Sequence, residues 1–295
     1  MKTLIFGSLN IDKTYFVKSF VLPGQTISAR SMESFCGGKG FNQAIALRRS
    51  GSEKVFFAGA VGEDGQILID TLEKNGVDCR FVRKLPCATG HAVIQVDEKG
   101  RNCIIVVAGA NGEITENDVE KTLMEFDAGD LVVLQNEISC VPQIIRMAHA
   151  KGMIVAFNPS PCNEHITSCD ISCVDYLLIN ETEGAAITAA EEPNDILRVL
   201  HGLYPQTNVI LTLGKNGSIY QDREGHRFPC GIFRTKVIDT TAAGDTYTGY
   251  FLSSLLKNGK VEEALHRASA AAGFAVAHKG AEPSIPWYQE VERML

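Results

Sequence analysis

Six short runs that are apolar at nearly every position, residues 3–6, 55–58, 131–134, 154–157, 176–179 and 209–213, recur along this sequence between stretches of helical periodicity. A strand with one face in water alternates polar and apolar side chains, whereas a strand lacking that alternation is covered on both faces. Parallel sheets meet this condition by carrying helices on each side. The runs therefore predict an α/β fold of three layers, αβα, around a central, mostly parallel sheet. Helical periodicity at 39–49, 66–74 and 243–256 fits the same plan, and each stretch is closed by a glycine, Gly51, Gly76 or Gly259, able to take the left-handed turn that ends a helix. With 295 residues, 45% of them apolar, the chain suffices for one large core with an appendage, read as a single domain over 1–295.

Four β-like stretches break the alternation: 15–20 with 26–36, and 91–97 with 102–108. The second pair is joined by Glu98-Lys99-Gly100-Arg101, a hairpin loop by composition. Together they predict a small, separate four-stranded sheet, formed by about 12–36 and 91–108, that projects from the main layer as a lid over a cleft. Ile94, Val96, Ile104 and Val106 alternate along it and offer an apolar face for a second copy of the chain.

Charge excludes several partners. The chain has 28 Lys and Arg against 35 Asp and Glu, net −7, with no basic cluster of the kind that nucleic acid or an anionic membrane requires. The apolar stretch Thr3 to Gly7 is too brief for a signal-peptide core or a membrane span, so a cytoplasmic protein is expected. The nine cysteines are odd in number and form no Cys-x-x-Cys pair, which reads as reduced core filling; Cys162, Cys169 and Cys173 lack the tight pair of a metal site.

In open parallel sheets, ligands bind beyond the carboxyl ends of the strands. Those ends are polar here: Ser8, Asn10 and Asp12; Gln135-Asn136-Glu137; Asn158-Pro159-Ser160; Asn180 to Glu183; Gly214 to Gly217. Carboxylates and amides converging there suit a hydroxyl-rich ligand and a metal-bound one. The sharpest segment is Asp239-Thr240-Thr241-Ala242-Ala243-Gly244-Asp245, which joins a β-like run at 233–238 to a helix. Its small residues allow close approach to the first-turn amides, which have no intrahelical partner and form an anion hole, with Asp245 placed to accept the proton of an attacking hydroxyl. A carboxylate at that position also serves as a plain partner for the helix dipole. A second segment, Gly37-Gly38-Lys39-Gly40-Phe41-Asn42, leads into another helix, but it is not a Gly-x4-Gly-Lys-Ser/Thr loop, and Gly-x-Gly-x-x-Gly does not follow the first strand.

These two segments resemble the paired signatures of the ribokinase-like carbohydrate kinases, and Gly7-Ser8-x-Asn10-x-Asp12, Ala108-Gly109-Ala110-Asn111, Asn180-Glu181-x-Glu183 and Lys279-Gly280-Ala281-x-Pro283-Ser284 extend the likeness over the chain. The resemblance implies a ribokinase-like domain with a β lid that mediates a homodimer. It implies ATP-dependent phosphorylation of the terminal hydroxyl of a pentose, D-ribose to ribose 5-phosphate, with Asp245 as catalytic base. By the same resemblance Asn10, Asp12, Gly38, Lys39, Asn42 and Glu137 hold the sugar, and the amides of Ala242, Ala243 and Gly244 form the anion hole. Asn180 and Glu183 organise magnesium, through water, and the phosphates; Thr212, Gly214, Gly217, Gly244 and Ser269 lie along the nucleotide. Asp239, Ser284 and the carbonyls of Thr241, Ala275, His278 and Gly280 enclose a monovalent cation, K+. Phe41 and Ser269 depart from the alanine and the larger polar residue usual at their positions. The alternatives are a kinase for another sugar or a nucleoside, and a non-catalytic sugar-binding regulatory protein on the same fold.

Overall fold

The computed structural model describes residues 1–295, apart from the side chains of Glu164 and His165. The chain starts with β1 (Thr3–Phe6), leaves for a small sheet with β2 (Asn10–Phe16) and β3 (Ser31–Gly37), and returns through α1 (Lys39–Arg49), β4 (Val55–Val61), α2 (Gln66–Lys74) and β5 (Asp78–Lys84). It visits the small sheet again with β6 (Gly90–Val96) and β7 (Asn102–Val107). Then follow α3 (Glu116–Leu123), β8 (Leu131–Gln135), α4 (Val141–Ala150), β9 (Ile154–Asn158), β10 (Tyr176–Asn180), α5 (Glu181–Thr188), α6 (Pro193–Leu203) and β11 (Asn208–Thr212). A hairpin, β12 (Ser218–Gln221) and β13 (Arg227–Cys230), precedes α7 (Ala243–Asn258), α8 (Val261–Val276) and α9 (Tyr288–Glu292).

The large sheet has nine strands in the order β13-β12-β11-β10-β9-β8-β1-β4-β5, and only β12 runs against the others, pairing antiparallel with β11 and β13. Its apolar runs are buried on both faces, as their lack of alternation requires. Ile5, Val133, Leu178 and Ile210 pack one way against Phe41, Tyr250 and Phe251; Leu4, Phe6, Val132, Leu177 and Val209 pack the other way against Ile144, Ile196 and Leu200. From β1 the chain builds outward in both directions, to β4 on one side and β8 on the other, so a crevice opens at the carboxyl ends of β1 and β8. Among the described residues, no helix is long and apolar enough to cross a membrane.

The small sheet has the expected four strands, in the order β3-β2-β6-β7. Both of its roots lie at the crevice, where Asn10 pairs with Gly37 on one side and with Gly90 on the other. Several sequence expectations need correction. No strand covers 17–30, and the first pair is instead β2 and β3, in register from Asn10↔Gly37 to Phe16↔Ser31. The run at 233–238 is not a strand either. Phe233, Val237 and Ile238 stay exposed; Phe233 and Val237 line a cavity rather than pair with a neighbour. Along β7 every residue is exposed, so Ile105 and Val107 are as open as Ile104 and Val106, and no single face carries the apolar groups. Of the cysteines, Cys87 and Cys103 are exposed and fill no core.

Candidate active site

The floor of the crevice is made where α1 presses on the end of β1. A Cβ on Gly40 would lie 2.6 Å from the Ser8 amide nitrogen and 2.7 Å from the Gly7 Cα, so only glycine permits the approach. Gly38 takes φ 99 and turns the chain into the helix. This closeness places Asn42 and Gln43 beneath Asp245. Asn42 Nδ2 donates to Asp245 Oδ2 at 3.1 Å and Gln43 Nε2 donates to Oδ1 at 2.9 Å, while Asp245 itself is 8% exposed. Gln43 is wholly buried; its Oε1 accepts from Gln135 Nε2 at 2.7 Å, and its Nε2 also reaches Asn158 Oδ1 at 3.2 Å. The relay Gln135 to Gln43 to Asp245 locks the carboxylate in one orientation without supplying a proton to it. Sequence reading assigned Gln43 no role. Its only signal was a polar residue on the buried face of a helix, where periodicity asks for an apolar one.

Beside this floor lies a polar group facing the lid roots. Ser8 Oγ donates to Glu137 Oε2, which also accepts the Lys39 amide at 2.9 Å. Burial pushes the Glu137 carboxyl up, against the pull of Lys39 and these hydrogen bonds. Asp12 fits into space left by the absent Cβ of Gly37 and is pushed up to about 6 by burial and by the charge of Glu137. Burial pulls the Lys39 ammonium down, but Asp245, Glu137 and Glu183 outweigh it and leave the pKa raised. Asn10 is held by Asn111, whose Nδ2 donates to Asn10 Oδ1 at 2.8 Å and whose Oδ1 accepts the Leu9 amide. Asn42 Oδ1 is buried and, among the described residues, has no partner. A buried acceptor left without a donor is costly, and a ligand hydroxyl that reached it would supply one.

On the other side of Asp245, α7 begins without a side-chain cap. Ala242, its N-cap, sits at φ 58, a left-handed conformation that costs a non-glycine residue about 1–2 kcal/mol and turns the following amides outward. Ala243 N donates to Thr240 O at 3.3 Å, which corrects the expectation that all three anion-hole amides are free. Among the described residues, the amides of Ala242, Gly244 and Asp245 have no partner. Asp239 braces the turn from behind: its Oδ1 accepts Thr241 N and Oγ1, and its Oδ2 accepts Gly280 N at 2.9 Å. Burial raises the Asp239 pKa, but these bonds and Lys279 outweigh it and leave it below the ordinary carboxylate value.

Two cavities meet at this turn. One, of about 200 Å³, is polar and lined by Lys39, Asn158, Asn180, Glu183, Gly244 and Asp245. The other, of about 410 Å³, is mainly apolar, with Ile232, Phe233, Val237, Ala272 and Val276 in its wall and Thr212, Gly214, Gly217 and Ser269 at its rim. Asn180 and Glu183 cap α5 reciprocally, Glu183 N to Asn180 Oδ1 and Asn180 N to Glu183 Oε2, so both also have a structural task. Ser269 Oγ is engaged by Gly231 O and Phe233 N. The His278 ring stacks on Phe274, centroids 4.2 Å apart, and its Nδ1 lies 2.8 Å from the Phe274 carbonyl oxygen. Ser284 is fully buried, with Oγ donating to Ala281 O.

A buried carboxylate, unpaired amides, a polar cluster and an apolar cavity gathered at one crevice suit group transfer from an anionic donor to an alcohol. The chain is 33% identical over 305 residues to the ribokinase of Haemophilus influenzae, spanning 100% of this chain and 98% of that protein. It is 29% identical over 306 residues to the deoxyribokinase of Salmonella typhi, spanning 100% and 99%. The structure of Arabidopsis thaliana ribokinase complexed with ribose and ATP superposes with a TM-score of 0.87 at 30% identity, covering 99% of this chain and 98% of that one. A model of the pfkB family carbohydrate kinases matches residues 2–288, a span that takes in both halves of the crevice, and on that match the chain belongs to the pfkB family of carbohydrate kinases.

Proposed function

We propose that this kinase transfers the γ-phosphoryl group of ATP to the terminal hydroxyl of a pentose, D-ribose giving ribose 5-phosphate. The observation that carries the reading is the place of Asp245, held by Asn42 and Gln43 at the junction between the unpaired α7 amides and the hydroxyl-binding group. Asp245 accepts the hydroxyl proton as the new oxygen–phosphorus bond forms, and ADP leaves with the electrons of the broken bond. Asn10, Asp12, Gly38, Lys39, Asn42 and Glu137 hold the sugar, and the apolar cavity holds the base. Magnesium suits the hard oxygen donors of Asn180 and Glu183, which line the polar cavity, and when bound it supplies positive charge to the phosphates. A monovalent cation, K+, suits the all-oxygen set of Asp239, Ser284 and the Thr241, Ala275, His278 and Gly280 carbonyls, because Asp239 already ties the Gly280 loop to Thr241.

The whole chain acts as one kinase domain, with the small sheet as its lid. The exposed Ile104, Ile105, Val106 and Val107 of edge strand β7 support a homodimer through that lid. ADP release coupled to NADH oxidation, with ribose, deoxyribose, fructose, ketopentoses and nucleosides compared by kcat/KM, tests the activity and the substrate together. Ribose is expected to lead. A 2-deoxypentose is the second reading, supported by the deoxyribokinase relative, and absence of turnover with every member would leave a binding protein. Initial rates in potassium, caesium and sodium at fixed ionic strength test the cation site, with potassium or caesium expected to exceed sodium.

A further inference from the structure

The loop that braces the anion-binding turn is itself pinned from an unexpected direction. Arg49, the last residue of α1 and 8% exposed, donates Nε to Asn75 Oδ1 at 2.8 Å and Nη1 to the carbonyls of Glu282 and Ile285 at 2.8 and 2.6 Å, with Nη2 on Glu282 Oε1. Its guanidinium carbon lies 5.0 Å from the ring centroid of Trp287, the one tryptophan of the sequence. Tyr250 Oη, from α7, donates to Pro286 O at 2.7 Å and fixes the same segment from the other side. Two residues before Glu282, Gly280 N donates to Asp239 Oδ2, and Asp239 Oδ1 holds Thr241 immediately before Ala242. An unbroken series of hydrogen bonds and short backbone links thus runs from the far end of α1, through residues 280–287, to the free amides of α7. The first turn of the same α1, ~15 Å away at 1.5 Å per residue, carries Lys39, Asn42 and Gln43.

We propose that Arg49 is a positioning residue for the anion-binding turn, acting through Glu282, Gly280 and Asp239, and that Trp287 reports the state of this linkage. A planar fork that grips two carbonyls and a carboxylate fixes the position of a loop as well as its presence. The inference rests on the kinase reading of the turn.

The test combines kinetics with optical and calorimetric readouts. Arg49→Lys keeps the charge but cannot reproduce the fork, so kcat should fall about 10- to 100-fold while KM for the sugar stays within about threefold. Asp239→Asn combined with Arg49→Lys should lose little more than the worse single variant, since both cut one path; additive losses in kcat overturn the proposal. Titration with ADP alone should shift Trp287 emission in the unaltered protein and leave it unshifted in Asp239→Asn, with calorimetry confirming that ADP binds both. If ADP fails to bind the unaltered protein, the kinase reading itself falls; if it binds and Trp287 stays silent, only this linkage falls. Should Arg49→Lys not fold, Glu282→Gln, which keeps every backbone contact, takes its place: a lowered kcat with a weakened emission response supports the linkage, and unchanged values of both overturn it.

Discussion

Two short segments start helices at the crevice, one with three glycines and one with a single glycine, and only the second leaves first-turn amides open. At α1, Lys39 N is taken by Glu137 Oε2, Gly40 N by Ser8 Oγ and Phe41 N by Ser8 O, so the helix start is sealed by β1 and by the end of β8. At α7, the amides of Ala242, Gly244 and Asp245 face a cavity with no partner among the described residues. Both starts contain glycine, yet Gly40 serves close packing, whereas Gly244 has open space around it. A helix N-terminus binds an anion only where tertiary structure has not already spent its donors.

The strongest way to break this contrast is Asp245→Asn. Fold and binding should survive, because Asn42 can turn its unpaired Oδ1 toward the new amide, while kcat falls about 10²- to 10⁴-fold from loss of the proton acceptor. If Asp245 were only a dipole partner, thermal unfolding would register a loss of about 0.3–1 kcal/mol and turnover would stay near normal. Next in size is Gln43→Leu, which strands Gln135 Nε2 and Asn158 Oδ1 and frees the carboxylate to rotate. It is expected to cost about 1–3 kcal/mol of stability for the unpaired groups and about 10- to 100-fold in kcat. A kcat unchanged in the folded fraction would show that the relay only fills the core.

The glycines can be set against each other directly. Gly40→Ala forces Cβ against the backbone of Gly7 and Ser8, and about 1–3 kcal/mol of stability should be lost in a denaturant titration. At Gly244 a Cβ meets nothing within 4 Å, so Gly244→Ala should unfold like the unaltered protein and instead raise KM for ATP, by about tenfold. Identical behaviour of the two variants would erase the distinction.

The smallest effect expected is a pH dependence on the sugar side. Because Asp12 is raised from 3.8 to about 6, the free protein carries it protonated below that value, whereas sugar hydroxyls favour the carboxylate. KM for the sugar should therefore rise as pH falls through 6, up to about tenfold per unit, and Asp12→Asn should remove that slope at the cost of weaker binding. For stability the sign is opposite: an elevated carboxyl disfavours the charged folded state, so the Asp12 contribution falls as pH rises from about 4 to 6 and levels off above. Urea midpoints across that window, with and without Asp12→Asn, check it.

The sequence by itself determined the parallel sheet, since runs such as Leu131 to Leu134 admit no exposed face, and it determined the bounds of α1 and α2, where period and glycine stop agree with Lys39–Arg49 and Gln66–Lys74. It missed β5, a half-buried edge strand whose Asp78, Arg80, Arg83 and Lys84 hide the apolar signal, and it misread 233–238, where Phe233 and Val237 belong to a cavity wall. Both of those outcomes turn on what lies across from the segment. The motifs marked Asp245, Lys39 and Glu137 as candidates, but tertiary structure alone showed that Gln43 reaches Asp245 across 202 residues, that Glu137 seals α1, and that Arg49 reaches the loop behind the α7 turn. Burial periodicity is a property of neighbours along the chain and can be read there. The satisfaction of a donor is a property of neighbours in space, and only the folded chain decides which amides remain free.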